Sequence, residues 1–180
     1  HYLGGIKEFV QNINASKTPM YEEIFYCEGT YNNIAVEIAF QHSDSYNEVN
    51  YSYVNNINTV DGGTHIQGFR TALTKTINDY GRKFGLIKAS EKNLTGEDIR
   101  EGMTSIVSVK IEDPQFEGQT KGKLGTSEAA PAVNNVLSEK LTYFLEENPQ
   151  VGKTIIEKSL LASRAREAAK KARELVRRKD

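Results

Sequence analysis

The side chains best equipped for chemistry crowd into one stretch, PQFEGQTKGKLG (residues 114–125), in which Gln119, Thr120 and Lys121 stand between Gly118 and Gly122. Glycine allows positive φ and a close backbone approach, and an ammonium beside free backbone N–H groups is a common grip for phosphate. A P-loop is excluded, because three residues rather than four separate Gly118 from Gly122, and Leu124 instead of Ser or Thr follows Lys123. A dinucleotide fingerprint is excluded too, since glycines at 118, 122 and 125 do not make G-x-G-x-x-G. The run Gly122-Lys123-Leu124-Gly125 does fit the G-x-x-G of an RNA-binding KH loop. From residue types alone, Lys121 reads either as a phosphate contact or as a solvated loop charge.

Elsewhere the chemistry is sparse. Cys27 is the single cysteine, so no intramolecular disulfide and no thiolate metal site is expected, and a reducing cytoplasm is the natural compartment. His1, His42 and His65 show no ligand spacing, no nucleophilic motif is present, and no bound metal is expected. No signal peptide or membrane span is apparent, so no membrane partner is expected. A free-standing enzyme has no acid/base constellation to work with. Charge is divided: residues 151–180 carry ten Lys/Arg against four Asp/Glu, leaving thirteen against twenty for residues 1–150. The body is acidic and the tail basic, which suits a nucleic-acid contact or a solvated helix.

The elements that must position the 114–125 loop follow from periodicity. Ile6, Phe9, Val10 and Ile13 share a helical face after Gly4-Gly5. Alternation predicts three antiparallel strands, at residues 22–28, around Ile34, Val36, Ile38 and Phe40, and around Val49, Tyr51 and Tyr53, joined by polar turns at 29–33 and 43–47. After an Asp61-Gly62-Gly63 hinge, Thr64 with Gln67 predicts a capping box for a helix bearing Phe69, Leu73, Ile77, Tyr80 and Phe84. Thr95 with Asp98 caps a short helical turn, and Val107, Val109 and Ile111 mark a fourth strand that ends at Asp113-Pro114 and carries the loop. Ser127 is the predicted N-cap of a helix stopped at Asn148-Pro149. Beyond it, apolar residues at 161, 165, 168, 172 and 175 predict a long helix with a packed seam.

Five blocks in this order, NNINTVDGGTH, GFRTALTKTINDYGRK, REGMTSIVSVK, DPQFEGQTKGKLG and ASRAREAAKKAREL, resemble the B subunits of bacterial DNA gyrases. The likeness spans nearly the whole chain, and PQFEGQTK and ARELVRRK look more like gyrase than like the related topoisomerase IV protein. It implies a transducer: residues 1–18 a connecting helix, 19–149 an α/β transducer domain, and 150–180 a basic helix leading to a Toprim domain. The implied fold is an α/β (α+β) two-layer sandwich, a four-stranded sheet packed by helices, similar to the second domain of small-subunit ribosomal protein five, with a left-handed βαβ crossover and a long C-terminal helix.

The resemblance further implies a subunit of an ATP-hydrolysing type IIA DNA topoisomerase. Its partners would be DNA, the ATPase and Toprim domains of the same chain, the gyrase A subunit and a second copy of itself. ATP and Mg2+ would serve the full-length protein, while this stretch alone, lacking the ATPase and Toprim motifs, would bind neither and be inactive. Lys121 would contact the ATP γ-phosphate in the neighbouring domain, with Gln119 and Thr120 beside it, and Arg70 would line a cavity that DNA traverses. Arg70 also reads as a solvent-facing partner of a nearby carboxylate. A second expectation, an RNA-binding module of ribosomal-protein or KH type, rests on the G-x-x-G; it calls for that loop to join two helices and for a basic body.

Overall fold

The structure, a computed structural model, describes residues 5–179; His1 and Gly4 lie outside it. Five strands form one mixed sheet: β1 (Phe25–Tyr31), β2 (Ile34–His42), β3 (Val49–Val54), β4 (Ile57–Asn58) and β5 (Met103–Lys110), in spatial order β1-β2-β5-β3-β4. The helices are α1 (Gly5–Asn14), α2 (Thr64–Lys83), α3 (Gly96–Arg100), α4 (Ala129–Glu147) and α5 (Pro149–Lys179).

Three corrections to the expected sheet have plain causes. There are five strands, not four, because a second hairpin follows β3. Asn55 and Asn56 take positive φ, as Asn32 and Asn33 do in the β1–β2 turn, and paired left-handed residues suit the tight turn that matches strand twist. β2 and β3 do not pair: β5 lies between them, antiparallel to β2 and parallel to β3. The apolar strand MTSIVSVK takes the centre, where both faces are covered, and the 43–48 connection is long enough to step over it. β1 begins at Phe25 rather than at 22, Phe25 being 1% exposed and packed on Phe40.

Alternation sorts the side chains. Phe25, Val36, Ile38, Phe40, Val107 and Val109 point to one face, where α2 and α4 cover them with Phe69, Leu73, Ile77, Val133, Leu137 and Leu141. On the other face Val10 of α1 meets Ala39 and Ile106, and Phe9 stacks edge-on to Tyr51 at 5.2 Å. The two-layer expectation therefore gains a partial third layer. α2 and α4 approach closely at Gly68, where an added Cβ would lie 2.4 Å from the Ala130 carbonyl oxygen.

Two helix starts also differ from expectation. The cap of α2 is Gly63, with no side-chain cap bond, because Thr64 Oγ1 donates instead to the Thr126 carbonyl at 2.5 Å; no Thr64–Gln67 box forms. α4 starts at Ala129 with Glu128 in the cap position, so Ser127 is not its cap. The Thr95 cap forms as expected, its hydroxyl accepting from Asp98 N at 3.2 Å. α5 buries Val151, Ile155, Ile156 and Ala162 and then leaves the body, so Leu161 and Leu175 are 64% and 58% exposed. The expected seam faces outward.

Candidate functional site

The loop after β5 is a fixed stem with a free tip. Phe116 bridges Leu124 in antiparallel fashion, Glu117 N donates to the Lys123 carbonyl at 2.8 Å, and Gly125 N donates to the Gln115 carbonyl at 2.7 Å. Lys123 Nζ lies 3.1 Å from Glu117 Oε2 across the stem. Leu124 is fully buried. At the tip, Gly118 turns the chain with φ +77°, and Gln119, Thr120 and Lys121 are all exposed. Among the described residues Lys121 pairs with no carboxylate, in contrast to Lys123.

The expected Asp61-Gly62-Gly63 hinge is instead a clamp on this stem. Asp61 N donates to the Gly122 carbonyl at 2.8 Å, Leu124 N to the Gly62 carbonyl at 3.0 Å, and Thr64 N to the Leu124 carbonyl at 3.1 Å. Gly63 sits at φ +139°, and a Cβ there would stand 2.4 Å from the Leu124 oxygen, so only glycine fits. The stem is thus bridged at Leu124 to the segment that leads into α2.

Under the clamp lies a buried polar cluster that sequence reasoning missed. Ser52 Oγ donates to the Thr59 carbonyl at 2.8 Å and lies 2.7 Å from Thr59 Oγ1, which lies 3.2 Å from His65 Nε2. Burial lowers the His65 pKa to about 4, so the ring is neutral at pH 7. Sequence periodicity pointed the other way: alternation around Val49, Tyr51 and Tyr53 sets Ser52 on the polar face of its strand, whereas in the structure Ser52 and Val54 are buried and Tyr51 and Tyr53 are half-buried on the opposite face.

Arg70 is exposed on α2, about two turns beyond the clamp, and lines a cleft of about 570 Å³ with Gln67, Asp61, Tyr51 and Lys123. No carboxylate pairs with it among the described residues. Arg100, whose pKa burial lowers, is instead the arginine that holds Glu48, at 3.1 Å. The fold therefore brings Arg70 and Lys123 to one cleft and leaves Gln119, Thr120 and Lys121 outside it. Gly122-Lys123-Leu124-Gly125 lies in the stem between β5 and α4 rather than between two helices, so the KH-like expectation fails on geometry. Among the described residues no group of three or more His, Cys, Asp or Glu is placed to hold a metal ion, and no helix is long and apolar enough to cross a membrane.

A family pattern described as DNA gyrase B matches residues 5–175. The chain is 57% identical to the DNA gyrase B subunit of Clostridium acetobutylicum, over 99% of this chain and 28% of that protein. It is 56% identical to the DNA gyrase B subunit of Bacillus mycoides, over 99% of this chain and 44% of that protein. It spans between a quarter and a half of these relatives. Among solved structures, the 43K ATPase domain of Thermus thermophilus gyrase B in complex with an aminocoumarin matches with a TM-score of 0.89 at 44% identity, covering 96% of this chain and 46% of that one. The topoisomerase IV ATP-binding domain of Francisella tularensis, in complex with a small-molecule inhibitor, matches with a TM-score of 0.80 at 27% identity, covering 92% and 44%.

Proposed function

This chain belongs to the DNA gyrase B family, and from that membership we propose that residues 19–149 act as the transducer of an ATP-dependent type IIA topoisomerase subunit, with 1–18 as a connecting helix and 150–180 as the helix leading to a Toprim domain. The observation that carries this reading is the loop itself: a lysine with no carboxylate partner among the described residues, on an exposed tip held by a stem that is bonded across itself and to the 61–64 segment. Such a tip reaches outward to a neighbour rather than inward to a site of its own.

Lys121 fits a phosphate: its ammonium is exposed and uncompensated, and Gly118 lets the preceding backbone turn toward an anion. Mg2+·ATP held by the adjacent ATPase domain supplies the γ-phosphoryl group whose hydrolysis drives the cycle. Lys121 meets the charge on the γ-phosphoryl oxygens, Gln119 offers an amide donor and acceptor to phosphate or water, and Thr120 offers a hydroxyl. Loss of the γ-phosphate removes the partner of Lys121, and that difference in contact biases one domain against the other. The clamp passes the bias to α2, on whose flank Arg70 offers a guanidinium to a DNA backbone. In this reading the protein works as a homodimer with the gyrase A subunit on DNA, and the left-handed crossover between β3 and β5 belongs to the same proposal.

The test is Lys121→Ala in the full-length protein. ATP hydrolysis and ATP-driven supercoiling are expected to fall on the order of a hundred- to a thousand-fold, while nucleotide-independent relaxation persists. Lys123→Ala is the control, removing a lysine set off the tip, in the Arg70 cleft, whose charge is already paired with Glu117 across the stem in a contact worth at most about 1 kcal/mol. Equal losses in the two variants would assign the effect to general positive potential and remove the role given to Lys121.

A further inference from the structure

We infer that Thr59, acting with Ser52 and His65, is a positioning residue for Lys121: a buried hydrogen-bond chain that fixes the height of the loop above the sheet. The inference rests on the γ-phosphate role proposed for Lys121.

Donor accounting gives the chain a direction. Ser52 spends its one hydroxyl proton on the Thr59 carbonyl, so Ser52 Oγ is left to accept from Thr59 Oγ1–H. Thr59 Oγ1 then accepts, and His65 must be the Nε2–H tautomer that donates to it. His65 Nδ1 is buried with no partner, so nothing in the pocket offers a second way to hold the ring. The three residues come from β3, from the segment after β4 and from the first turn of α2, which the chain ties together.

The link from this cluster to the loop is short. The Thr59 carbonyl also accepts from Gly62 N at 3.0 Å, closing the turn 59–62. Asp61 N, inside that turn, donates to the Gly122 carbonyl, the residue next to Lys121. Thr59 also donates its N–H to the Ser52 carbonyl at 2.9 Å, so the turn is indexed to the sheet through backbone and side chain alike. Removing the hydroxyl strands His65 Nε2–H in a site with no exposure, and the imidazole can then be satisfied only by moving α2's first turn against the 59–62 turn.

The experiment uses the full-length protein with Thr59→Val, which keeps the shape and deletes the hydroxyl, and Thr59→Ser, which restores it. In Thr59→Val, amide exchange across residues 116–125 is expected to rise about tenfold while α4 stays protected, and kcat for ATP hydrolysis to fall about tenfold with KM changed less than about twofold. Thr59→Ser should return both readouts toward wild type. Unchanged exchange in the stem, an equal loss of protection in α4, or failure of Thr59→Ser to rescue would overturn the inference. Should Thr59→Val not fold, Ser52→Ala cuts the chain at its far end and leaves His65 paired, with the same pattern expected at about threefold. Lys121→Ala in parallel separates the two ideas: a large loss there with an unaltered stem in Thr59→Val removes only the role of the buried chain, whereas normal turnover in Lys121→Ala removes both.

Discussion

At the scale of the residue, the loop depends on one backbone position more than on any side chain. Gly63→Ala places a Cβ 2.4 Å from the Leu124 oxygen at a φ of +139° that alanine avoids, so strain and a broken clamp bond act together. A loss of roughly 2–4 kcal/mol in urea-induced unfolding is expected, with the 116–125 stem opening first in hydrogen exchange. Arg70 presents the opposite case, exposed and with no carboxylate partner among the described residues, so its removal should leave the fold intact. Arg70→Gln in the full-length protein is expected to weaken supercoiling and its salt-sensitive DNA dependence while DNA-independent ATPase stays near normal; equal loss of both would assign Arg70 a structural role. The tip residues were legible because a Gly-bounded polar triplet after an apolar strand is unusual. The Ser52–Thr59–His65 cluster was not, because no periodicity marks three polar residues that meet only in space.

At the scale of the element, helix packing explains what propensity does not. Alanine favours a helix over glycine by about 1 kcal/mol, yet Gly68→Ala is expected to destabilise by roughly 1–3 kcal/mol, since the added methyl meets the Ala130 carbonyl where α2 and α4 touch. Thermal unfolding of the two proteins checks the sign. α5 is held where it leaves the body by charges: Arg166 lies 2.8 Å from Glu97 Oε2 and from Asp98 Oδ1, and Arg164 lies 3.7 Å from Glu91. The Arg166–Asp98 contact is close but not linear, so it is a charge contact rather than a hydrogen bond. The basic tail was readable from composition and its helicity from periodicity. Its outward seam was not, because an apolar stripe states that a surface is available and not what covers it. The missed β4 hairpin did have a signal in Asn55-Asn56-Ile57, which repeats the Asn32-Asn33-Ile34 of the first hairpin.

At the scale of the whole molecule, two buried histidines tie stability to pH. His42 Nδ1 accepts from the Tyr21 hydroxyl at 2.7 Å and Nε2–H donates to the Ile99 carbonyl at 2.8 Å, and burial lowers its pKa to about 4, as it does for His65. Above the ordinary value of 6.5 both states are neutral and stability does not depend on these rings. As pH falls from 6.5 toward 4 the unfolded chain takes up protons that the native one refuses, so stability drops, by on the order of 3 kcal/mol per histidine, and levels off below. Urea midpoints across that range, read with imidazole NMR titration, check it; a flat midpoint would mean that the rings protonate in the native state. The 180-residue chain by itself is expected to show no micromolar heat with a non-hydrolysable ATP analogue, because one exposed lysine contact supplies too little of the roughly 8 kcal/mol that such affinity needs. What the sequence determined by itself was local: alternation set which face of β2 packs on the helices, though in β3 it pointed to Tyr51 and Tyr53 where Ser52 and Val54 are buried, the 3.6-residue period set the helices, and the glycines marked where the chain turns. Tertiary structure decided the rest: β5 between β2 and β3, a clamp in place of a hinge, and a histidine under the loop. Backbone hydrogen bonds and buried polar groups choose partners far along the chain, by geometry and by the cost of being left unpaired, and no residue names its distant partner in advance.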